Sequence, residues 1–136
     1  MGKMRRSNHY NALEFIAYHP HVFGFKGVIR ADIESALFDV SERLLAQADV
    51  IFECRGGYVC IIEYKSNGTR AELDRAREQL ANAARWYVRF RGINPDTRII
   101  TGAEVVNSKR ETFSLSLPKC IEILKNILNL AKIWQN

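Results

Sequence analysis

Residues 49–65 read DVIFECRGGYVCIIEYK. Two β-rich runs, Asp49 to Cys54 and Tyr58 to Lys65, flank Arg55-Gly56-Gly57, which is the signal of a hairpin. Strand side chains alternate, so Val59, Ile61, Glu63 and Lys65 share one face while Cys60, Ile62 and Tyr64 take the other. The loop length then decides where Asp49 points. A three-residue loop pairs Cys54 with Tyr58 and sets Asp49 directly opposite Glu63 on one face. A two-residue Gly-Gly turn instead faces Asp49 with Tyr64, away from Glu63. Both closures are open to this sequence.

In the first register two carboxylates stand close enough to repel, and a cation is needed to keep both ionised. Mg²⁺ suits such a pair, because it takes oxygen ligands and commonly uses one or two carboxylates completed by water and phosphate oxygens. A metal there activates water and stabilises a leaving oxygen. Lys65 on the same face would orient the water or neutralise charge developing on a phosphorane. The ordinary reading of Glu-x-Lys at a strand end is a solvated ion pair of little energetic weight. The order of Asp49, hairpin and helix favours the chemical reading here.

Around this hairpin the chain reads as a single 136-residue domain. Ser7 to Tyr18 is a short helix with Ser7 as N-cap, ended by His19-Pro20. Residues 21–30 are apolar with two glycines, open to strand or loop. Over 31–47, Ile33, Ala36, Leu37, Val40 and Leu44 fit a helical face, so a helix is expected over at least the first half, although ALFDVS could start a strand. After Ser66-Asn67-Gly68, Thr69 and Glu72 form a capping box. The helix that follows carries the stripe Leu73, Ala76, Leu80, Ala83, Ala84, Tyr87 and Val88 and stops at Gly92. Arg98 to Gly102 reads as a short strand and TFSLSL as an alternating one, with Lys109 and Arg110 in a loop between them. Pro118 opens a closing helix whose apolar residues exceed one stripe. The class expected is α/β, a small mixed sheet flanked by helices.

Hydrophobic residues make up 47% of the chain and charged residues 26%, the balance of a folded globular protein rather than a disordered one. No apolar run reaches the roughly 20 residues of a membrane span. The basic N-terminus has no apolar segment behind it, so a cytoplasmic location is expected. Cys54, Cys60 and Cys120 lack zinc-ligand spacing and read as buried thiols. His9, His19 and His21 are scattered and read as loop or surface residues. The net charge of +5 and a pI near 9.3 favour polyanionic partners. Arg70, at the helix start after the lysine strand, is the foremost phosphate-binding candidate, with Lys109 and Arg110 behind it.

Asp49, thirteen intervening residues and Glu63-Tyr64-Lys65 at the end of an apolar strand resemble the signature of the PD-(D/E)XK nuclease superfamily. The long helix with Gln79 on its flank is similar to the RecB-type and resolvase-like branch. Ala48 stands where the family name has proline. Ala83 stands where the branch has tyrosine, with Tyr87 one turn further. The resemblance spans roughly residues 49–90. It implies a restriction-endonuclease-like core, Mg²⁺ or Mn²⁺ dependence and cleavage of DNA. By position it makes Asp49 and Glu63 metal ligands, Lys65 the catalytic lysine and Gln79 an accessory site residue. It also implies a further carboxylate from the first helix, here Glu14, with Glu34 or Glu42 as alternatives if that helix lies later. The expected function is a metal-dependent deoxyribonuclease; the alternative is a DNA-binding or assembly module of the same fold without turnover. A homodimer through the apolar C-terminal helix is a further expectation.

Overall fold

The computed structural model describes residues 7–113 and 124–128. Four strands form one mixed sheet in the order β1-β2-β3-β4: β1 (Val28–Phe38), β2 (Leu44–Cys54), β3 (Tyr58–Lys65) and β4 (Asp96–Thr101). The first three are antiparallel neighbours, and β4 runs parallel to β3. A parallel pair needs a crossover, supplied here by the long helix α2 (Arg70–Arg91). That helix covers one face of the sheet. Helix α1 (Asn8–Tyr18), the 3-10 turn that follows it at Pro20–Phe23 and helix α3 (Gly102–Phe113) cover the other. The class is therefore α/β, a four-stranded mixed sheet flanked by helices. Among the described residues no helix is long and apolar enough to cross a membrane.

The helix ends follow from local chemistry. Ser7 accepts a hydrogen bond from the Tyr10 N–H at 3.1 Å, and Thr69 accepts one from the Glu72 N–H at 3.4 Å; each satisfies an amide that the first turn leaves without a partner. Gly92 closes α2 in the left-handed conformation at φ 63°. The α2 stripe buries Ala76, Leu80, Ala83 and Tyr87, the last three against Val59, Ile61 and Ile51. On the opposite face, Leu13 and Ile16 of α1 pack with Phe52, Ile62 and Tyr64.

Residues 28–38 form a strand, not the helix expected over the first half of 31–47. The turn that ends this strand is built by Asp39, whose Oδ1 accepts from the N–H groups of Ser41 (2.8 Å) and Arg43 (2.9 Å). The helix-like spacing has its own cause. On β2, Val50 and Phe52 face α1, yet Ala46 and Ala48, of the same parity, face α2. On β1, Ile33 faces α1 and Leu37 faces α2. Both strands thus change faces where Glu34, at φ 52°, stands opposite Asp49 between the pairs Ile33↔Val50 and Ser35↔Ala48. A strand that changes faces part-way no longer shows a period of two. Lys109 and Arg110 also differ from expectation: they lie in α3, not in a loop. The strand read at TFSLSL falls mostly, and Cys120 and the helix start at Pro118 wholly, outside the described residues. Residues 124–128 are helical.

The junction of β4 and α3 tolerates no side chain. A Cβ on Gly102 would stand 2.6 Å from the Ser66 carbonyl oxygen and 3.3 Å from the Tyr64 hydroxyl. Gly102→Ala is expected to cost about 2 kcal/mol, read as a lower urea midpoint, because backbone must move to admit the methyl.

Candidate active site

The hairpin closes with the three-residue loop. Gly56 and Gly57 both adopt positive φ (83° and 79°), and Cys54 pairs with Tyr58. The pairing continues to Val50↔Ile62, which brings Asp49 beside Glu63. At that point side chains take over the contact between the strands. The Asp49 N–H donates to Glu63 Oε1 at 3.2 Å, and the Tyr64 N–H donates to Asp49 Oδ2 at 2.8 Å. Each carboxylate is held through one oxygen on the backbone of the other strand. The remaining oxygens are Asp49 Oδ1 and Glu63 Oε2.

The electrostatics of the pair are unequal. Glu63 is only 2% exposed. Burial first, then the Asp49 carboxylate, push its carboxyl up to about 8; the Asp49 N–H and the Lys65 ammonium pull the other way. Lys65 ends β3, is half-buried and shares the Glu63 face. Asp49 keeps contact with the opening and meets His9 Nε2 at 3.4 Å through Oδ1. A buried carboxyl pushed up by burial and a neighbouring carboxylate is a frequent mark of a functional site.

Asp49, Glu63 and His9 line a cavity of about 430 Å³, whereas Lys65 stands beyond its lining at the end of β3. Asp49, Glu63 and Ala48 form its floor, Glu34 and Gln47 one wall, and His9 and Gln79 the flanks from α1 and α2. Gln79 therefore joins Asp49 and Glu63, and its Oε1 is buried without a hydrogen-bond donor among the described residues. Glu14 does not line the cavity, nor does Glu42. Of the three glutamates considered for the additional carboxylate, Glu34 is the one that does.

The helix face explains the exchange of Glu14 for His9. Ala12, Leu13 and Ile16 make the buried stripe of α1, and His9 continues that stripe back into the first turn, whereas Glu14 is turned off it. His9 also lies 5.6 Å from the Tyr64 ring, centroid to centroid. His9 is exposed, as the surface reading of the histidines expects, yet it also lines the cavity, and continuation of the stripe was the available signal for that.

The phosphate-binding candidates stand outside the cavity. Arg70 is exposed at the first position of α2, and Arg110 is exposed on α3. The Lys109 ammonium lies 5.3 Å from the Phe15 ring centroid, a cation–π contact joining α3 to α1. Of the described thiols Cys60 is buried as expected, whereas Cys54 is half-buried. Burial, and to a lesser extent Asp96, push Cys60 up to about 12 and raise Cys54 as well.

Among the described residues no three His, Cys, Asp or Glu side chains group as a metal-ion site. The donor set that fits a hard divalent cation is the Asp49–Glu63 pair, which matches the one or two carboxylates that Mg²⁺ ordinarily draws from a protein. The buried, donor-less Gln79 Oε1 fits as well, since an ion's water ligand could donate to it. Comparison with family models, curated proteins and solved structures finds no match to this chain.

Glu34 carries the cost of its position. A left-handed φ is unfavourable for a residue with a Cβ. Glu34→Gly is expected to stabilise the chain by up to about 1 kcal/mol in denaturant titration. The same change is expected to weaken divalent-cation binding by about 10-fold in a calorimetric titration, because a carboxylate leaves the cavity wall.

Proposed function

We propose that this chain is a metal-dependent DNA nuclease built on a restriction-endonuclease-like core of the PD-(D/E)XK type. The observation that carries the reading is the Asp49–Glu63 pair, each carboxylate fixed on the other strand's backbone, with Lys65 two residues beyond on the same face. The net charge of +5 supports a polyanionic substrate, as do the exposed Arg70 and Arg110.

Asp49 Oδ1 and Glu63 Oε2 would hold Mg²⁺ or Mn²⁺. The bound ion supplies Lewis acidity toward a phosphodiester and lowers the pKa of water. The remaining work belongs to the side chains. Gln79 Oε1 accepts a hydrogen bond from a water and orients it. Lys65 places its ammonium where negative charge grows on the phosphoryl oxygens. Glu34 and His9 bound the cavity and limit how a phosphate enters it. Hydrolysis adds the water oxygen to phosphorus and breaks a P–O bond, and the departing sugar oxygen takes up a proton.

The test is an assay for nicking or cleavage of single-stranded, duplex and branched DNA in Mg²⁺, in Mn²⁺ and in EDTA. Cleavage in a divalent cation that EDTA abolishes is the expected result. Salt-sensitive DNA binding without cleavage in either metal would replace the nuclease with a DNA-binding module lacking turnover. Neither binding nor cleavage would remove both.

A further inference from the structure

The outer face of α2 carries a charge pattern that the cavity does not use. Asp74, Glu78, Ala81, Asn82, Arg85 and Arg89 recur at spacings that keep them on one stripe, and all six are exposed. The acids occupy the N-terminal half of this stripe and the arginines the C-terminal half, with the small Ala81 and Asn82 between them. The positions are symmetric about that centre: Asp74 and Arg89 lie equally far from it, as do Glu78 and Arg85. Beside the arginine half runs a groove of about 720 Å³ lined by Leu45, Ala84, Trp86, Val88 and Phe90. Val88 is 53% exposed there.

We infer that α2 is a self-complementary interface at which a second copy of this chain packs its own α2 antiparallel across a two-fold axis at Ala81 and Asn82. A two-fold contact brings the same patch of both subunits together. In that arrangement Glu78 meets Arg85 of the partner subunit and Asp74 meets Arg89 of the partner subunit, and the axis repeats both pairs. Small residues at the crossing let two helices approach to about 8–10 Å. The local partners of these side chains, Arg77 for Asp74, Asn82 for Arg85 and the Phe90 ring for Arg89, are surface contacts that exchange at little cost.

Charge also selects the occupant. The groove's rim bears Arg85 and Arg89 and no acid, so whatever covers it must bring carboxylates. The helical residues 124–128 expose Leu124, Ile127 and Leu128, but with Lys125 among them they bring a cation to two arginines. A second α2 brings Asp74 and Glu78. Gln79 follows Glu78 directly, so the dyad would set two acidic cavities on either side of one helix pair.

Sedimentation velocity on the full chain tests this with a charge-swap cycle. The wild-type chain is expected to dimerise at low salt and to dissociate as salt screens the ion pairs. A variant with Asp74→Arg and Glu78→Arg, and one with Arg85→Glu and Arg89→Glu, are each expected to self-associate on the order of 100-fold more weakly, since like charges then face each other. Mixed in equal amounts, the two are expected to form a heterodimer. Circular dichroism checks that both fold, and the milder Glu78→Gln and Arg85→Gln changes supply the same reading if either does not. A wild-type chain that stays monomeric overturns the inference. So does a dimer indifferent to both variants, which would place the contact at Leu124, Ile127 and Leu128 instead, and so do variants that stay monomeric when mixed.

Discussion

Lys65→Ala is expected to slow metal-dependent DNA cleavage by about 100- to 1000-fold, the usual consequence of removing one group that stabilises charge developing in the transition state. The fold should survive the change. Lys65 is the last residue of β3 and only half-buried, and its backbone pairing with Thr101 does not need the side chain. DNA affinity should be nearly unchanged in Ca²⁺, because one exposed-end lysine adds little to the summed phosphate attraction. Single-turnover cleavage and fluorescence anisotropy separate the two quantities. The variant's pH profile carries a second signature. Lys65 is one of the groups that hold the Glu63 carboxyl down, so its loss raises that carboxyl further and shifts the rise in activity to higher pH. A uniform loss at every pH would mean that Lys65 acts on the phosphate alone. Cleavage at the wild-type rate would remove Lys65 from the mechanism.

The geometry behind that expectation was readable in the sequence only as far as local chemistry determined it. Ser7, Thr69 and Gly92 marked real helix ends, because caps act within one turn. Arg55-Gly56-Gly57 allowed the register that joins Asp49 to Glu63, but it did not exclude the other register; the left-handed conformations of both glycines decide it. The strand at 28–38 was masked by its own irregularity. Ile33 and Leu37 lie four apart, a spacing shared by helix and strand, and the change of faces at Glu34 sends them to opposite sides of the sheet. The turn chemistry of Asp39 was the stronger signal. Glu34 reaches the cavity through pairing between distant segments, so its neighbours in sequence carry little trace of it, whereas the only trace of His9 was its place on the α1 stripe. Glu14 has the favourable residue type on the less favourable side of α1. Type without direction does not make a ligand.

Replacing Glu63 tests the claim that the site is held under electrostatic strain for the sake of an ion. In the folded chain the Glu63 carboxyl keeps its proton to about pH 8, against an ordinary value of 4.5. Between those two values the folded state binds more protons than the unfolded state, so stability falls as pH rises. Full stability from this group is present below about 4.5 and is lost as pH climbs through about 8. A rise of this size corresponds to at most about 5 kcal/mol, and relaxation of the pocket should leave roughly half of that. Glu63→Gln removes the titration. Its amide oxygen can still accept from the Asp49 N–H, and its amide nitrogen can donate to the Asp49 carboxylate. At pH 8 without metal, the variant is therefore expected to melt about 5 °C or more above the wild-type chain. At pH 4.5 the two should nearly coincide. Added Mg²⁺ or Mn²⁺ should raise the wild-type melting temperature, since an ion that binds only the folded state stabilises it. It should raise that of Glu63→Gln much less, and cleavage by the variant should be lost. A protein that gains stability by losing its activity has been keeping a carboxylate where only a cation makes it comfortable. A variant that melts lower at pH 8, or a wild-type chain whose stability is flat from pH 5 to pH 8, would show that the two carboxylates do not strain each other, and the argument for an ion between them would fail with it.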